Sequence, residues 1–351
     1  MVRYASVYHT PHASLNLANA VLKGMSKLTD FSLDLIRQAR AYLSDKVVQT
    51  PLLSSPMLDE LVGAKVLVKA ECLQKTGAFK FRGALFKMST LSPLELSKGV
   101  ITYSAGNHGQ AVAAAARSLG CPAVIVMPRH APQIKQDNCR WWGAEVVLYD
   151  KDTEDREAVA QALIDKRGLV FISPFDEPHI MAGQGTVGLE ICDQLRALGH
   201  TADSIWVGCS GGGLASGVIT ALTSEFVGVE SVLVEAEGYN KWETSLSQNQ
   251  PIKLSQLPGT LMDGIAGPAV GRLPFDALKK LAPTTRVATE NDAIAGVQAA
   301  FRYLKLVAEP GAAAALGALI RERDKYQGTT AVVVCSGGNV DPGVFARILS
   351  A

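Results

Sequence analysis

Short apolar segments alternate with helix-like segments along almost all of the chain after residue 30. The apolar runs have the length of buried strands and lie at residues 64–70, 99–103, 123–127, 145–149, 169–172, 204–207, 231–235 and 331–335. Between them, helical patterns lie at residues 108–119, 132–142, 152–166, 186–198, 292–307 and 311–323. This alternation predicts an α/β fold in which mostly parallel, twisted sheets are flanked by helices.

The length of the chain predicts two lobes rather than one. With 351 residues, the chain is longer than a single minimal core requires. No repeat or low-complexity linker divides it, so we expect lobes that are interleaved in sequence. We predict a large domain formed by residues 31–97 and 177–351 and a small, mobile domain formed by residues 98–176. Residues 1–30 carry little periodicity and are predicted to form an N-terminal arm.

The charge balance argues against a general binder of nucleic acid. The chain has 34 lysines and arginines against 33 aspartates and glutamates, whereas binding to phosphate backbones needs a basic excess or patch. No apolar stretch reaches the length of a membrane span, and the first ten residues lack the apolar core of a secretory signal. The six cysteines form no Cys-x-x-Cys pair. We therefore predict a cytoplasmic protein with reduced cysteines and no bound metal.

A glycine-rich turn follows the apolar run 204–207. Ser210 and the glycines Gly211–Gly213 precede an apolar helix that begins at Leu214. Glycines let successive backbone N–H groups point into one concavity, and the helix dipole adds positive potential, so the turn is suited to a phosphate. The P-loop pattern does not fit, because no Gly-Lys-Ser/Thr follows, and the dinucleotide pattern does not fit, because Ser216 stands where its third glycine is needed. The motif predicts a smaller phosphorylated cofactor, with a ligand-free turn as the alternative.

Lys80 lies in the segment GAFKFRGA. A helix that starts near Phe79 places Lys80 at a helix N-terminus, where the dipole disfavours a cation. A lysine in such a position tends to have a lowered pKa, which suits a nucleophilic amine. The alternative is a solvated basic face that also includes Lys75, Arg82 and Lys87.

Three further segments carry polar groups at strand ends or helix starts. Ser104, Asn107 and His108 lie between a strand and an alanine-rich helix, where donors and free N–H groups can bind a carboxylate. Glu309 stands at a helix start, and Ser336 follows the last strand, where its hydroxyl can bind a ring nitrogen or cap a helix. A phosphate site, a nucleophilic lysine and a ring-binding hydroxyl together indicate pyridoxal phosphate.

These motifs resemble those of the serine/threonine dehydratase and serine racemase family, the tryptophan-synthase-β-like, fold-type II group of pyridoxal-phosphate enzymes. The resemblance covers nearly all of the chain after the first thirty-odd residues. Its motifs are KTGAFKFRGA (75–84), SAGNHGQ (104–110), AGQGT (182–186), SGGGL (210–214), EPG (309–311) and SGGNVD (336–341). It implies a two-lobed fold, pyridoxal 5'-phosphate as the cofactor and an amino acid as the substrate. We further expect a homodimer and, since the last motif ends close to Ala351, no regulatory domain.

The resemblance implies a role for individual residues. Lys80 is the catalytic residue and binds the cofactor covalently. The other cofactor-binding residues are Phe79, Asn107, Ser210, Gly211, Gly212, Gly213, Leu214, Glu309 and Ser336. The substrate-binding residues are Ser104, Ala105, Gly106, Asn107, His108 and Arg156. In this assignment Asn107 meets the ring hydroxyl, Ser336 the pyridine nitrogen, and Arg156 reaches the substrate carboxylate when the small domain closes.

The residue at position 105 distinguishes two activities of this family. Racemisation needs a second base opposite the lysine, and in the racemase a serine holds the position of Ala105, which has no proton to exchange. We therefore expect a dehydratase that converts a 3-hydroxy amino acid into a 2-oxo acid and ammonia. L-threonine and L-serine are the first candidates, with phenylserine and hydroxyaspartate left open. A racemase and a non-catalytic, cofactor-binding regulatory protein are the alternatives.

A second departure from the family concerns its cation site. Members that bind magnesium or calcium use a glutamate and an aspartate after the strand that follows the glycine loop. Glu235 matches the glutamate, whereas Lys241 stands where the aspartate would be, and its ammonium can replace the cation. The alternative is that Lys241 points to solvent and a cation binds elsewhere nearby.

Overall fold

The structure, a computed structural model, describes residues 30–351, so the predicted arm lies outside the described residues except for Asp30. Within this range the strands are β1 (Leu52–Leu53), β2 (Lys65–Ala70), β3 (Val100–Tyr103), β4 (Ala123–Pro128), β5 (Glu145–Tyr149), β6 (Val170–Phe171), β7 (Ser204–Gly208), β8 (Glu230–Ala236), β9 (Thr284–Ala288) and β10 (Thr330–Cys335). The helices are α1 (Leu33–Leu43), α2 (Pro56–Val62), α3 (Lys80–Ser89), α4 (Pro93–Lys98), α5 (Asn107–Leu119), α6 (Gln133–Trp141), α7 (Arg156–Arg167), α8 (Pro178–Leu198), α9 (Gly213–Thr223), α10 (Trp242–Ser247), α11 (Arg272–Leu278), α12 (Glu290–Leu304), α13 (Pro310–Arg321) and α14 (Pro342–Ser350).

Two separate sheets confirm the predicted α/β class. The larger sheet has the strand order β1-β2-β10-β7-β8-β9, and the smaller has the order β5-β4-β3-β6. The neighbouring strands are parallel except for β1, which pairs antiparallel with β2. The strands of the smaller sheet come from residues 100–171, inside the range predicted for the small domain. The domain boundaries and the mobility of the small domain stay predictions.

Helices cover both faces of the larger sheet because its central strands are apolar on both sides. In β2, Val66 and Val68 pack in one buried cluster with Ala314 of α13, whereas Leu67 packs in another with Val218 of α9. Successive side chains of a strand point to opposite faces, so a continuous apolar run requires two layers of helices. In the part of the chain that the structure describes, no helix has the length and apolarity needed to cross a membrane.

The helix α8 starts earlier than the sequence pattern predicts. It begins at Pro178 rather than at residue 186, and the added segment includes two glycines, Gly183 and Gly185, that lower helix propensity. Gly183 lies against α3, where an added Cβ would come within 2.6 Å of the Gly83 Cα. The close approach of the two helices therefore explains why the intrinsic propensity is overridden here.

A buried cluster of four charges connects α3, α8 and β2. Arg82 Nε donates to Glu71 Oε2 at 2.8 Å, and Arg82 Nη1 donates to Glu190 Oε1 at 2.6 Å. Lys69 Nζ donates to Glu190 Oε2 at 2.6 Å. The side chains of Lys69, Glu71 and Arg82 are fully buried. Because each charge has an opposite partner and directed hydrogen bonds, the cluster offsets the loss of water around it.

We expect Arg82→Met to lower the free energy of unfolding by about 3–5 kcal/mol, because it leaves two carboxylates around one ammonium. Urea denaturation of the apoprotein measures this loss. Arg37→Met is a matched control, since the exposed Arg37–Asp34 pair (3.0 Å) contributes about 1 kcal/mol or less. If the two variants lost the same free energy of unfolding, burial of the Arg82 ion pairs would not explain their contribution to stability.

Candidate active site

One cavity, with a volume of about 420 Å³, lies at the carboxyl ends of β3, β7 and β10. Every site residue predicted from the sequence lines it: Phe79, Lys80, Ser104, Ala105, Gly106, Asn107, His108, Arg156, Ser210, Gly211, Gly212, Gly213, Leu214, Glu309 and Ser336. Ligands of α/β proteins bind at the carboxyl ends of parallel strands, which explains why motifs distant in sequence meet here. The role of each residue stays a prediction.

The turn between β7 and α9 presents backbone N–H groups to the cavity. The N–H groups of Gly211, Gly212 and Gly213 have no acceptor among residues 30–351, and they stand at the start of an 11-residue helix. Gly212 has a φ of +97°, which glycine adopts without strain. Phe175 packs so closely that a Cβ on Gly211 would lie 2.5 Å from its ring. The turn is therefore a concave surface suited to an anion.

Lys80 is the first residue of α3, as the sequence predicts, and its side chain lines the cavity. Its Nζ donates to Pro174 O at 2.6 Å and lies 5.1 Å from the centre of the Phe79 ring. Desolvation by the surrounding protein lowers the pKa of Lys80 to about 8. Near neutral pH, a larger fraction of this amine is uncharged than of an ordinary lysine, and the uncharged form acts as a nucleophile or a base.

The loop between β3 and α5 forms another wall of the cavity. Ser104 Oγ accepts a hydrogen bond from the Gly106 N–H at 3.2 Å, and the N–H groups of Asn107 and His108 have no acceptor in the described range. His108 Nε2 donates to Ile172 O at 3.1 Å. Burial lowers the pKa of His108 to about 3, so the ring is neutral and its one N–H is already used. This loop can bind a carboxylate through N–H groups of the helix start, but not through the His108 ring.

Asn107 is held by two side-chain hydrogen bonds across the cavity. Its Nδ2 donates to Glu309 Oε1 at 2.7 Å, and its Oδ1 accepts from Asn339 Nδ2 at 2.8 Å. Asn339 also donates to Thr76 O at 2.7 Å. One hydrogen on Asn107 Nδ2 thus remains for a ligand. Sequence reasoning does not single out Asn339, although its place in the SGGNVD motif is a signal that could have identified it.

Glu309 is a buried carboxyl at the start of α13. Burial raises its pKa to about 7; Asp263 adds to the shift, and the hydrogen bond from Asn107 and the charge of Lys135 oppose it. Since the unfolded chain ionises a glutamate near pH 4.3, the folded state binds more protons between about pH 4 and 7. The free energy of unfolding therefore falls as the pH rises through this window.

Glu309→Gln should remove this pH dependence from the cofactor-free protein. The wild type loses free energy of unfolding between pH 4.5 and pH 8 through Glu309, and the variant does not. We therefore expect the difference in free energy of unfolding, variant minus wild type, to increase by roughly 2–4 kcal/mol from pH 4.5 to pH 8. Urea unfolding at both pH values measures the gain, and Glu237→Gln serves as the control for an exposed carboxyl. A difference between variant and wild type that is the same at both pH values would show that Glu309 does not titrate in this window.

Several residues that line the cavity have no motif around them. Lys135 of α6 forms an ion pair with Asp263 at 3.4 Å, and the Arg156 guanidinium lies 5.0 Å from the centre of the Tyr103 ring. Arg156 is the first residue of α7, on the last helix of the small sheet, as the sequence predicts. Lys135, Asp263 and Tyr103 are not identified from the sequence, because only the packing of the fold brings them to the cavity.

The chain belongs to the family of pyridoxal-phosphate dependent enzymes, because the model of that family matches residues 43–337. It is 37% identical to an L-threonine ammonia-lyase of Thermotoga maritima, over 91% of this chain and 78% of that protein. It is 33% identical to an L-threo-3-hydroxyaspartate ammonia-lyase of Saccharomyces cerevisiae, over 88% of this chain and 93% of that protein. The solved structure of maize serine racemase matches with a TM-score of 0.84 and 34% identity, covering 91% of this chain and 97% of that one.

The predicted family and its cofactor, pyridoxal phosphate, are confirmed by these comparisons. Within the family, the protein is similar to ammonia-lyases and to racemases. The cavity fits the cofactor at three points. The N–H groups of Gly211–Gly213 suit a phosphate, and the Lys80 amine suits an aldehyde. Ser336 is a buried residue that lines the cavity, and its hydroxyl, which makes no hydrogen bond to residues 30–351, suits a ring nitrogen.

Proposed function

We propose that the protein is a dehydratase that eliminates water from L-threonine or L-serine and releases a 2-oxo acid and ammonia. The observation that carries this proposal is Ala105, which lines the cavity in the loop before α5. Its methyl group packs against the apolar cluster that includes α5, and it has no proton to exchange. Racemisation requires an acid or base on the face opposite Lys80, and alanine supplies neither.

Pyridoxal phosphate, when bound, supplies an electron-accepting ring that stabilises negative charge at the substrate α-carbon. The N–H groups of Gly211–Gly213 bind the phosphate, and the Ser336 hydroxyl donates to the ring nitrogen. A hydroxyl does not transfer a full proton as a carboxylic acid does. Negative charge therefore stays near the α-carbon, which favours loss of a β-hydroxyl.

Lys80 performs the proton transfer at the α-carbon. Its pKa near 8 allows Nζ to accept the α-proton near neutral pH and to hold it as an ammonium. The bond from Nζ to Pro174 O orients the amine in the cavity. The free N–H groups of Asn107 and His108 bind the substrate carboxylate, and Arg156 approaches it when the small domain closes. Two contacts already join the range predicted for the small domain to the rest of the chain, Asn107–Glu309 and Lys135–Asp263.

A substrate panel tests the proposal. Purified holoenzyme is incubated with L-threonine, L-serine, threo-phenylserine and L-threo-3-hydroxyaspartate, and the 2-oxo acid and the chirality of the remaining amino acid are measured. We expect the highest kcat/KM with L-threonine or L-serine. Release of D-serine at a rate comparable with pyruvate would replace the dehydratase by a racemase. Bound cofactor without turnover of any substrate would indicate a regulatory protein. A cytoplasmic homodimer is part of the proposal, and light scattering tests the dimer.

A further inference from the structure

A buried lysine–glutamate pair lies directly behind the anion-binding turn. Lys241 Nζ lies 3.3 Å from Glu235 Oε1 and donates to Tyr239 O at 2.9 Å. The side chains of Lys241 and Glu235 are 0% and 1% exposed. The alternative in which Lys241 points to solvent is therefore wrong. Its ammonium occupies the place between a carboxylate and a carbonyl that a metal ion would need, so these residues do not fit a divalent cation.

Glu235 connects this ammonium to Trp242. Its Oε1 accepts from the Lys241 N–H at 2.9 Å, and its Oε2 accepts from the Trp242 N–H at 3.0 Å. An ionised carboxylate is the acceptor that suits these donors. Burial raises the pKa of Glu235, and the charge of Lys241 opposes that rise. Without the ammonium, Glu235 is left as a buried charge with no opposite partner.

Trp242 in turn contacts the glycine turn at two points. Its indole N–H donates to Ser210 O at 2.8 Å. Its ring lies so close to Gly212 that an added Cβ would come within 2.4 Å of ring carbon Cζ2. The ring is fully buried, so a displacement of Trp242 moves the backbone of the turn. The N–H groups of Gly211, Gly212 and Gly213 belong to this backbone.

We propose that Lys241 is a positioning residue for the cofactor phosphate, acting through Glu235 and Trp242 on the turn Ser210–Gly213. The Lys241 ammonium pairs with the Glu235 carboxylate, and this carboxylate accepts the hydrogen bond from the Trp242 N–H. This proposal rests on the proposed binding of phosphate by Gly211–Gly213. It goes beyond that assignment because Lys241 does not line the cavity and touches neither cofactor nor substrate.

Cofactor affinity of the Lys241→Met variant tests the proposal. The dissociation constants of pyridoxal phosphate and of pyridoxal, which lacks the phosphate, are measured by fluorescence with apoprotein. We expect the dissociation constant for pyridoxal phosphate to rise by at least about tenfold, because the buried Glu235 carboxylate loses its charged partner and no longer holds Trp242 against the turn. The constant for pyridoxal should change by less than about twofold, because only the phosphate contacts are displaced. The 31P chemical shift of the bound cofactor should also change.

Arg321→Met is the matched control for a stability effect. Arg321 pairs with the buried Asp292 at the far end of α13, so its loss also leaves a carboxylate without its cation. We expect this variant to lower the melting temperature of the apoprotein but to keep both dissociation constants. If Lys241→Met lowers only the melting temperature and leaves the preference for pyridoxal phosphate intact, Lys241 is merely structural and the proposal fails.

Lys241→Ala provides a second test should the methionine variant fail to fold. Ammonium chloride should restore the affinity for pyridoxal phosphate, whereas tetramethylammonium chloride at the same ionic strength should not, because its cation is too large for the space. Equal effects of the two salts would overturn the proposal. The wild-type protein distinguishes a failure of the role of Lys241 from a failure of phosphate binding by the turn. If the wild type binds pyridoxal phosphate no more tightly than pyridoxal, phosphate binding by Gly211–Gly213 is refuted.

Discussion

Replacing Lys80 by alanine is expected to lower kcat/KM by at least about 10³-fold, because the variant loses the base that moves the α-proton. The visible absorption band of lysine-bound cofactor should disappear as well. The free energy of unfolding should hardly change, because Lys80 Nζ donates only one hydrogen bond, to Pro174 O. Its burial is itself unfavourable to the charged amine, as the lowered pKa of Lys80 shows. Steady-state kinetics, absorbance and thermal unfolding measure the three effects.

Lys87→Ala is the matched control on the same helix. Lys87 belongs to α3, and its Nζ pairs with Glu177 at 3.2 Å outside the cavity. We expect this variant to keep the absorption band and its activity. A Lys80→Ala protein that retained the band would refute the assignment of Lys80, and equal losses of activity in the two variants would show that the effect is not specific to Lys80.

Ala105→Ser is expected to raise the share of racemisation among the products from L-serine. The wild type should form pyruvate and ammonia with only a trace of D-serine, because no side chain at position 105 returns a proton to the second face. The serine hydroxyl supplies an exchangeable proton at the cavity wall, where general acid–base groups contribute about 10²–10⁴-fold. Alanine and serine differ by one oxygen, so the steric cost is small. Chiral chromatography of the products measures the ratio.

Ala105→Gly controls for a change in the loop. It alters the backbone freedom and the volume at the same position without adding a proton donor. Only the serine variant should produce more D-serine. If both variants racemise, a mobile loop that admits water explains the product better than the hydroxyl does. If the wild type already releases D-serine at a rate comparable with pyruvate, the dehydratase proposal is wrong.

The motifs at strand ends could be predicted because their geometry depends on consecutive residues. The turn Ser210–Gly213 combines a strand, three glycines and a helix start, and it forms the expected concavity in the structure. The position of Lys80 at the start of α3 likewise depends on the residues next to it in the sequence, so it could be predicted. Two edge strands could not be predicted in this way. β1 has 2 residues, and β9 begins Thr-Thr-Arg and is half-buried, so neither forms an apolar run.

The α/β class, the convergence of strand-end motifs and the family of the chain could all be predicted from the amino-acid sequence. Short apolar runs and glycine-rich turns encode these features locally, and the parallel sheet brings the strand ends together. The pairing of side chains across the site could not be predicted and is seen first in the three-dimensional structure. Asn107 and Glu309 are 202 positions apart, and Trp242 and Ser210 are 32 apart. Such pairs depend on how helices and strands pack, and packing is decided by the whole core rather than by neighbouring residues.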